Sequence, residues 1–132
     1  MGSEMCIRDR AFMDALKKKR SIALLIDQKF NEGISIPFLG FEAMTAPAPA
    51  RAAIRFNLPI IVVTNERKEG AFFKMRIHKP IFPEVTGNME NDVRALTIKA
   101  NEILETQIRA QPAQWLWLHR RWPKQPLSLI HI

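Results

Sequence analysis

Two short, uninterrupted apolar runs, residues 22–26 and 59–63, interrupt a chain that elsewhere alternates or repeats at helical spacing. Runs of that kind are expected of strands buried on both faces. Before the first run, Phe12, Ala15 and Leu16 share one face over residues 11–20, and the closing lysines suit the negative end of a helix dipole. This segment reads as the end of a helix, broken at Ser21. Residues 31–33 are turn chemistry, and residues 34–40 alternate around Pro37 and stop at Gly40. Thr45 stands where an N-cap belongs, with Pro47 and Pro49 in the first turn of a helix reaching about Asn57. After the second apolar run, residues 67–70 make a polar turn. Residues 71–78 then return as a strand with Phe73, Met75 and Ile77 on one face. Pro80 and Pro83 mark an extended connection. The longest helix is predicted from about Met89 to Ala110, with Val93, Leu96, Ala100, Ile103, Leu104 and Gln107 at helical spacing. Pro112 ends it or begins a last turn that carries tryptophan. The order helix, strand, helix, strand, strand, helix predicts an α/β domain, a mixed sheet layered with helices.

At 132 residues the chain supports one domain around one core. Its apolar and charged fractions, 47% and 25%, are those of an ordinary globular domain. A formal charge of +7 narrows the partners to anionic ones: nucleic acid, an acidic membrane surface or a phosphorylated small molecule. Residues 17–20 supply much of it, and a solvated helix face explains that run equally well. No apolar run approaches the roughly 18 residues that cross a bilayer, and no secretory signal is evident. The lone Cys6 excludes an internal disulfide framework and a cysteine metal cluster, so a reducing compartment is expected.

The two ends are related in an unexpected way. DNA encoding residues 5–10 can be written ATG-TGT-ATA-AGA-GAC-AG, and its reverse complement encodes residues 127–132. That DNA resembles the transposon end used as a sequencing adapter. Residues 1–10 and 125–132 are therefore expected to be read-through, leaving 11–124 as the native part and removing Cys6 and His131 from functional consideration.

Catalytic constellations are sparse. There is no Gly-rich phosphate loop, no Gly-x-Ser-x-Gly elbow and no Cys-x-x-Cys pair. His78 and His119 lie in different elements without a carboxylate at ligand spacing, so no metal site and no cofactor is expected. Asp27, followed by Gln28, is the best-placed acid. It is predicted at the carboxyl end of the first buried strand, where ligands of α/β sheets collect. Pinning a loop explains an Asp there as well as binding does. A helix beginning at Thr45 offers free N–H groups to an anion, and Arg51 and Arg55 lie four apart beside it. Residues 115–123 hold all three tryptophans, interleaved with Leu116 and Leu118 and followed by His119, Arg120 and Arg121. An apolar aromatic block joined to forked donors suits a lipid with a phosphorylated head. The plainer reading is a C-terminal helix packed through Trp115 and Leu118.

Taken together these segments resemble a known family. Asp27-Gln28-Lys29, then Gly33-Ile34-Ser35-Ile36-Pro37-Phe38-Leu39-Gly40, then Ala43-Met44-Thr45-Ala46-Pro47-Ala48 are similar to the lipid A biosynthesis acyltransferases, the lauroyl and myristoyl transferases of the lysophospholipid acyltransferase superfamily. The strand at residues 59–63 and the closing stretch 112–122 extend the likeness over residues 11–124. The resemblance implies the C-terminal part of a glycerolipid-acyltransferase-like fold. It also implies a transferase that moves a fatty acyl group from acyl carrier protein to a hydroxyl of a Kdo-lipid IVA-type acceptor, at the cytoplasmic face of the inner membrane. The family's His-x-x-x-x-acid dyad, in which the acid orients the imidazole that takes the hydroxyl proton, is absent here. Five places after His78 stands Pro83, and five after His119 stands Lys124. The resemblance therefore implies that no catalytic residue is retained, that an anchor and the dyad lie upstream, and that the fragment is inactive. Asp27 corresponds to an active-site support. Asp27, Gln28, Thr45, Arg120 and Arg121 are the implied substrate contacts, and the loss of upstream strands should leave a sheet edge open.

Two other readings compete. A basic module for anionic lipid or nucleic acid fits the charge. However, aromatic readers of nucleic acid sit on strands or polar helices, whereas here they are phenylalanines among apolar neighbours, so no nucleic acid is expected. A related transferase acting on another glycolipid, such as a phosphatidylinositol mannoside, fits the residues as well.

Overall fold

In a computed structural model, the backbone is described for residues 3–118 and 120–123 and side chains from residue 10 onward. The elements in chain order are α1 (Ser3–Lys17), β1 (Ile34–Phe38), β2 (Phe41–Thr45), α2 (Ala48–Phe56), β3 (Val63–Arg67), β4 (Phe73–Ile77) and α3 (Met89–Ala110), followed by a single 3-10 turn (Pro112–Gln114). The α/β character expected from the sequence holds. Its sheet does not take the expected mixed form: the described strands make two separate antiparallel hairpins, β1–β2 and β3–β4.

α3 organises the molecule. Asn88 caps it by accepting from the Asn91 N–H at 3.2 Å, Glu90 and Asp92 lie in the first turn, and Arg109 lies in the last. Each charge opposes the dipole end beside it. Its buried stripe runs from Val93 and Leu96 through Ala100 to Ile108. The upper part of this stripe packs on Ala50 and Ala53 of α2, whose small side chains let the helices approach. The lower part packs on Phe38 and Ala43 of the first hairpin. Buried Asp92 accepts from the Thr86 N–H and hydroxyl at 2.9 and 2.6 Å, which fastens the Pro-rich connection to the helix.

The turn joining β1 to β2 is Leu39-Gly40, with φ of 52° and 86°. Two positive φ values in a two-residue loop match the twist of a hairpin. For Leu39 that conformation costs on the order of 1 kcal/mol. The opposing gain is a hydrogen bond from the Leu39 N–H to Glu105 Oε1 at 2.8 Å, made across 66 residues from α3. α2 starts after Pro47, which supplies no side-chain cap, and ends where Asn57 turns into the left-handed region at φ 51°.

Three expectations are corrected. Residues 22–26 form no strand: they are irregular, with no ladder among the described residues, and Leu24 and Leu25 are exposed. Residues 59–63 behave similarly, with one isolated bridge between Ile60 and Ile81 before β3 begins at Val63. An apolar run encodes a buried strand only where neighbouring strands exist to pair with it. Thr45 is not an N-cap; it ends β2, paired with Ile34.

Candidate active-site wall

The hydroxyl of Thr45 is committed at both ends. It donates to Ala43 O at 3.0 Å and accepts from Arg121 Nη2 at 2.8 Å. Arg121 Nη1 donates to Met44 O at 2.8 Å, and the guanidinium lies 4.9 Å from the centroid of the Phe38 ring. Arg121 is completely buried, the largest side chain to be so among the described residues. Burial pulls its proton affinity down from the ordinary value, and the negative charge of Asp27 opposes that shift. Arg121 was expected to reach an anionic ligand. Instead it spends its fork on the end of β2, because planar donors at fixed spacing match a carbonyl and a hydroxyl presented side by side.

The described residues of 115–123 form no helix, contrary to the packing-helix expectation: Trp115 is extended at φ −95°, ψ 144°. The segment instead wraps the mouth of the first hairpin with aromatic rings. Trp115 and Trp122 each stand about 6 Å from Phe38, at 5.8 and 5.9 Å between centroids, and meet each other edge-on at 5.8 Å. Trp122 Nε1 donates to Phe38 O at 3.0 Å, and Trp115 Nε1 donates to Asp27 Oδ2 at 3.1 Å. Indole suits this position because its ring fills an apolar gap while its one donor reaches a polar edge.

Asp27, Thr45 and Arg121 are thus brought together, along with Trp115 and Trp122 of the aromatic block. Gln28 and Arg120 are exposed, and His119 lies outside the described residues. Arg51 and Arg55 are exposed on α2. His78 contacts Thr64 Oγ1 through Nε2 at 2.9 Å. Among the described residues no three of His, Cys, Asp and Glu gather as metal ligands, and no helix is long and apolar enough to cross a membrane.

Beside Asp27 opens a groove of about 1120 Å³. Its walls are residues 22–26, Ala53 and Phe56 of α2, residues 58–63, and Leu104, Ile108 and Trp115. Lys17, Lys19 and Arg20 also line it, so the apolar trough carries basic side chains. The wall could be anticipated from the two apolar runs. The Glu105 contact, the Trp122 donor and the buried state of Arg121 carry no local sequence signal.

The sequence is similar to that of known proteins. The profile of the bacterial lipid A biosynthesis acyltransferases matches residues 3–124. The lipid A biosynthesis palmitoleoyltransferase of Escherichia coli (strain K12) is 26% identical over 121 residues, which cover 90% of this chain and 39% of that protein. The lipid A biosynthesis acyltransferase of Shigella flexneri gives the same figures, 26% over 121 residues with 90% and 39% coverage. The chain therefore spans about two fifths of the length of these relatives.

Proposed function

Because this chain belongs to the bacterial lipid A biosynthesis acyltransferase family, we propose that it forms the acceptor-side wall of an enzyme that transfers a fatty acyl group from acyl carrier protein to a hydroxyl of a Kdo-lipid IVA-type precursor. The reaction breaks the acyl thioester and forms an ester, and a base must take the hydroxyl proton. Neither His78 nor His119 has an acid five places later, Pro83 and Lys124 standing there, so the proposal assigns that base to neither of them. What this chain contributes is position and environment. The groove gives an acyl chain apolar contact. Asp27, held by the Trp115 indole, keeps a carboxylate at the groove's edge, where it supports the site or accepts from a sugar hydroxyl. Exposed Gln28 and Arg120 are the groups left to meet the acceptor head, while Thr45 and Arg121 hold the edge of the site in shape. The cytoplasmic face of the inner membrane is the proposed setting, and the native portion is proposed to be residues 11–124.

The observation that carries this reading is the family match across 122 of the 132 residues (124 − 3 + 1). Disrupting the gene and weighing the cell's lipid A by mass spectrometry tests it. The expected result is lipid A lacking one acyl chain, and unchanged lipid A would reject the assignment. The 132-residue protein alone, given acyl carrier protein thioester and acceptor, is expected to transfer nothing.

A further inference from the structure

Asn101 lies in the buried stripe of α3 at 1% exposure, and among the described residues neither its Oδ1 nor its Nδ2 meets a hydrogen-bond partner. A buried amide with both ends unpaired is destabilising, and native interiors pair nearly all such groups. Asn101 lines a cavity of about 20 Å³, which is room for one water molecule and for little else. Thr97, one helical turn earlier, lines the same cavity. Its hydroxyl donates to Val93 O at 2.7 Å, so its oxygen can still accept. The rest of the wall includes Ile26, Pro49 and Ile60, which also line the groove beside Asp27, so the two spaces share a wall. Ile26 is half-buried, and residues 22–26 make no main-chain hydrogen bond among the described residues.

We propose that this cavity is the site of one ordered water, held by the Asn101 amide and bridging α3 to the unpaired main chain of Ile26. Water is the occupant that the chemistry selects. Among the described residues no charged side chain lines the cavity, so nothing there would hold an ion. An apolar occupant would leave the amide unpaired. The amide, the Thr97 oxygen and the main chain of Ile26 together offer donors and acceptors enough for the few bonds that a buried water makes. Ile26 immediately precedes Asp27, whose carboxylate accepts from the Trp115 indole at 3.1 Å. The water and that bond hold the run from two sides, one through α3 and the other through the aromatic segment. The site stands on this geometry, and only its bearing on Asp27 as part of an acyltransferase rests on the function proposed above.

The test is magnetisation transfer from water in solution NMR of the isotope-labelled 132-residue protein. Cross-peaks with the sign of a long-lived water are expected at the Asn101 side-chain amide protons and at the main-chain N–H of Ile26 or Asp27. Absence of the peak at Asn101 would overturn the site. A peak at Asn101 with none at Ile26 or Asp27 would overturn the bridge. Asn101→Leu keeps the size of the side chain and removes the amide. In that variant the water peak at Ile26 or Asp27 should vanish, and amide exchange there should accelerate by up to about tenfold, the worth of one hydrogen bond. Exchange at Val93 and Leu96 should stay as it was. Equal acceleration along α3 would make Asn101 a general packing residue and reject the bridge. The wild-type spectrum decides the site whether or not the variant folds. Neither measurement involves acyl transfer, so unchanged lipid A after gene disruption would leave the water site standing, and a missing cross-peak would leave the proposed function standing.

Discussion

Asp27 and Trp115 are joined by a hydrogen bond of 3.1 Å across 88 residues of sequence, from the indole Nε1 to the carboxylate Oδ2. The bond fastens residues 22–27, which have no sheet partner among the described residues, to the aromatic cluster on the first hairpin. Trp115→Phe keeps the ring and deletes the donor. It should cost about 1–2 kcal/mol, the worth of a partly buried bond to a charged acceptor. Asp27→Asn, which still offers an oxygen, should cost less than Asp27→Ala. Urea unfolding midpoints check both comparisons.

Arg121 and Thr45 should behave as a unit. Thr45→Val leaves a buried guanidinium N–H without its acceptor and is expected to destabilise by about 1–3 kcal/mol, whereas Thr45→Ser should be nearly neutral. Arg121→Lys replaces a fork by a point charge that cannot serve Met44 O and Thr45 Oγ1 together. A double-mutant cycle on the pair should return a coupling of at least about 0.5 kcal/mol. Additive losses would show that the two bonds act separately.

Gly33 is required by space. A Cβ there would stand 2.1 Å from Thr45 O, a backbone atom that cannot move without breaking the register of the hairpin. Gly33→Ala should therefore cost about 3 kcal/mol. Gly70 is the contrast: it has open space around it and a φ of +57°, so Gly70→Ala should cost only about 1 kcal/mol, from conformation alone. Thermal denaturation of the two variants side by side measures the difference.

Acid should loosen the second hairpin before the first. The hydrogen bond from Lys68, aided by the charges of Lys68, Lys74 and Arg76, holds the Glu66 carboxyl below its ordinary value of 4.5. A carboxyl whose folded value is depressed contributes stability above its unfolded value, and that contribution is lost as pH falls through the folded one. Amide exchange at residues 63–77 should accelerate below about pH 4.5 relative to residues 34–45. Glu66→Gln should remove the difference.

The long helix was legible because its signal is local, an apolar spacing through Val93, Leu96, Ala100, Ile103, Leu104 and Gln107, to which the structure adds an Asn88 cap and acids in the first turn. The strand at residues 73–77 was legible from alternation. The expected helix start at Thr45 failed because Leu39 and Gly40 turn the chain back, and residues 41–45 then read as a second strand. A leucine in the left-handed region is not a turn signal until Glu105 arrives from α3 to hold it. The site divides along the same line. The residue types, Asp27 at the end of an apolar run and a cluster of tryptophan and arginine near the end of the chain, were fixed by sequence, and with them the resemblance to a family. Which arginine is buried, which ring meets Asp27, and which apolar faces stay open were decided only by tertiary structure. These depend on contacts spanning 76 to 88 residues, such as Arg121 with Thr45 and Trp115 with Asp27. Sequence patterns encode periods of two and 3.6 residues. Nothing in such a period specifies which distant segment a donor will meet, so that choice waits for the packed chain.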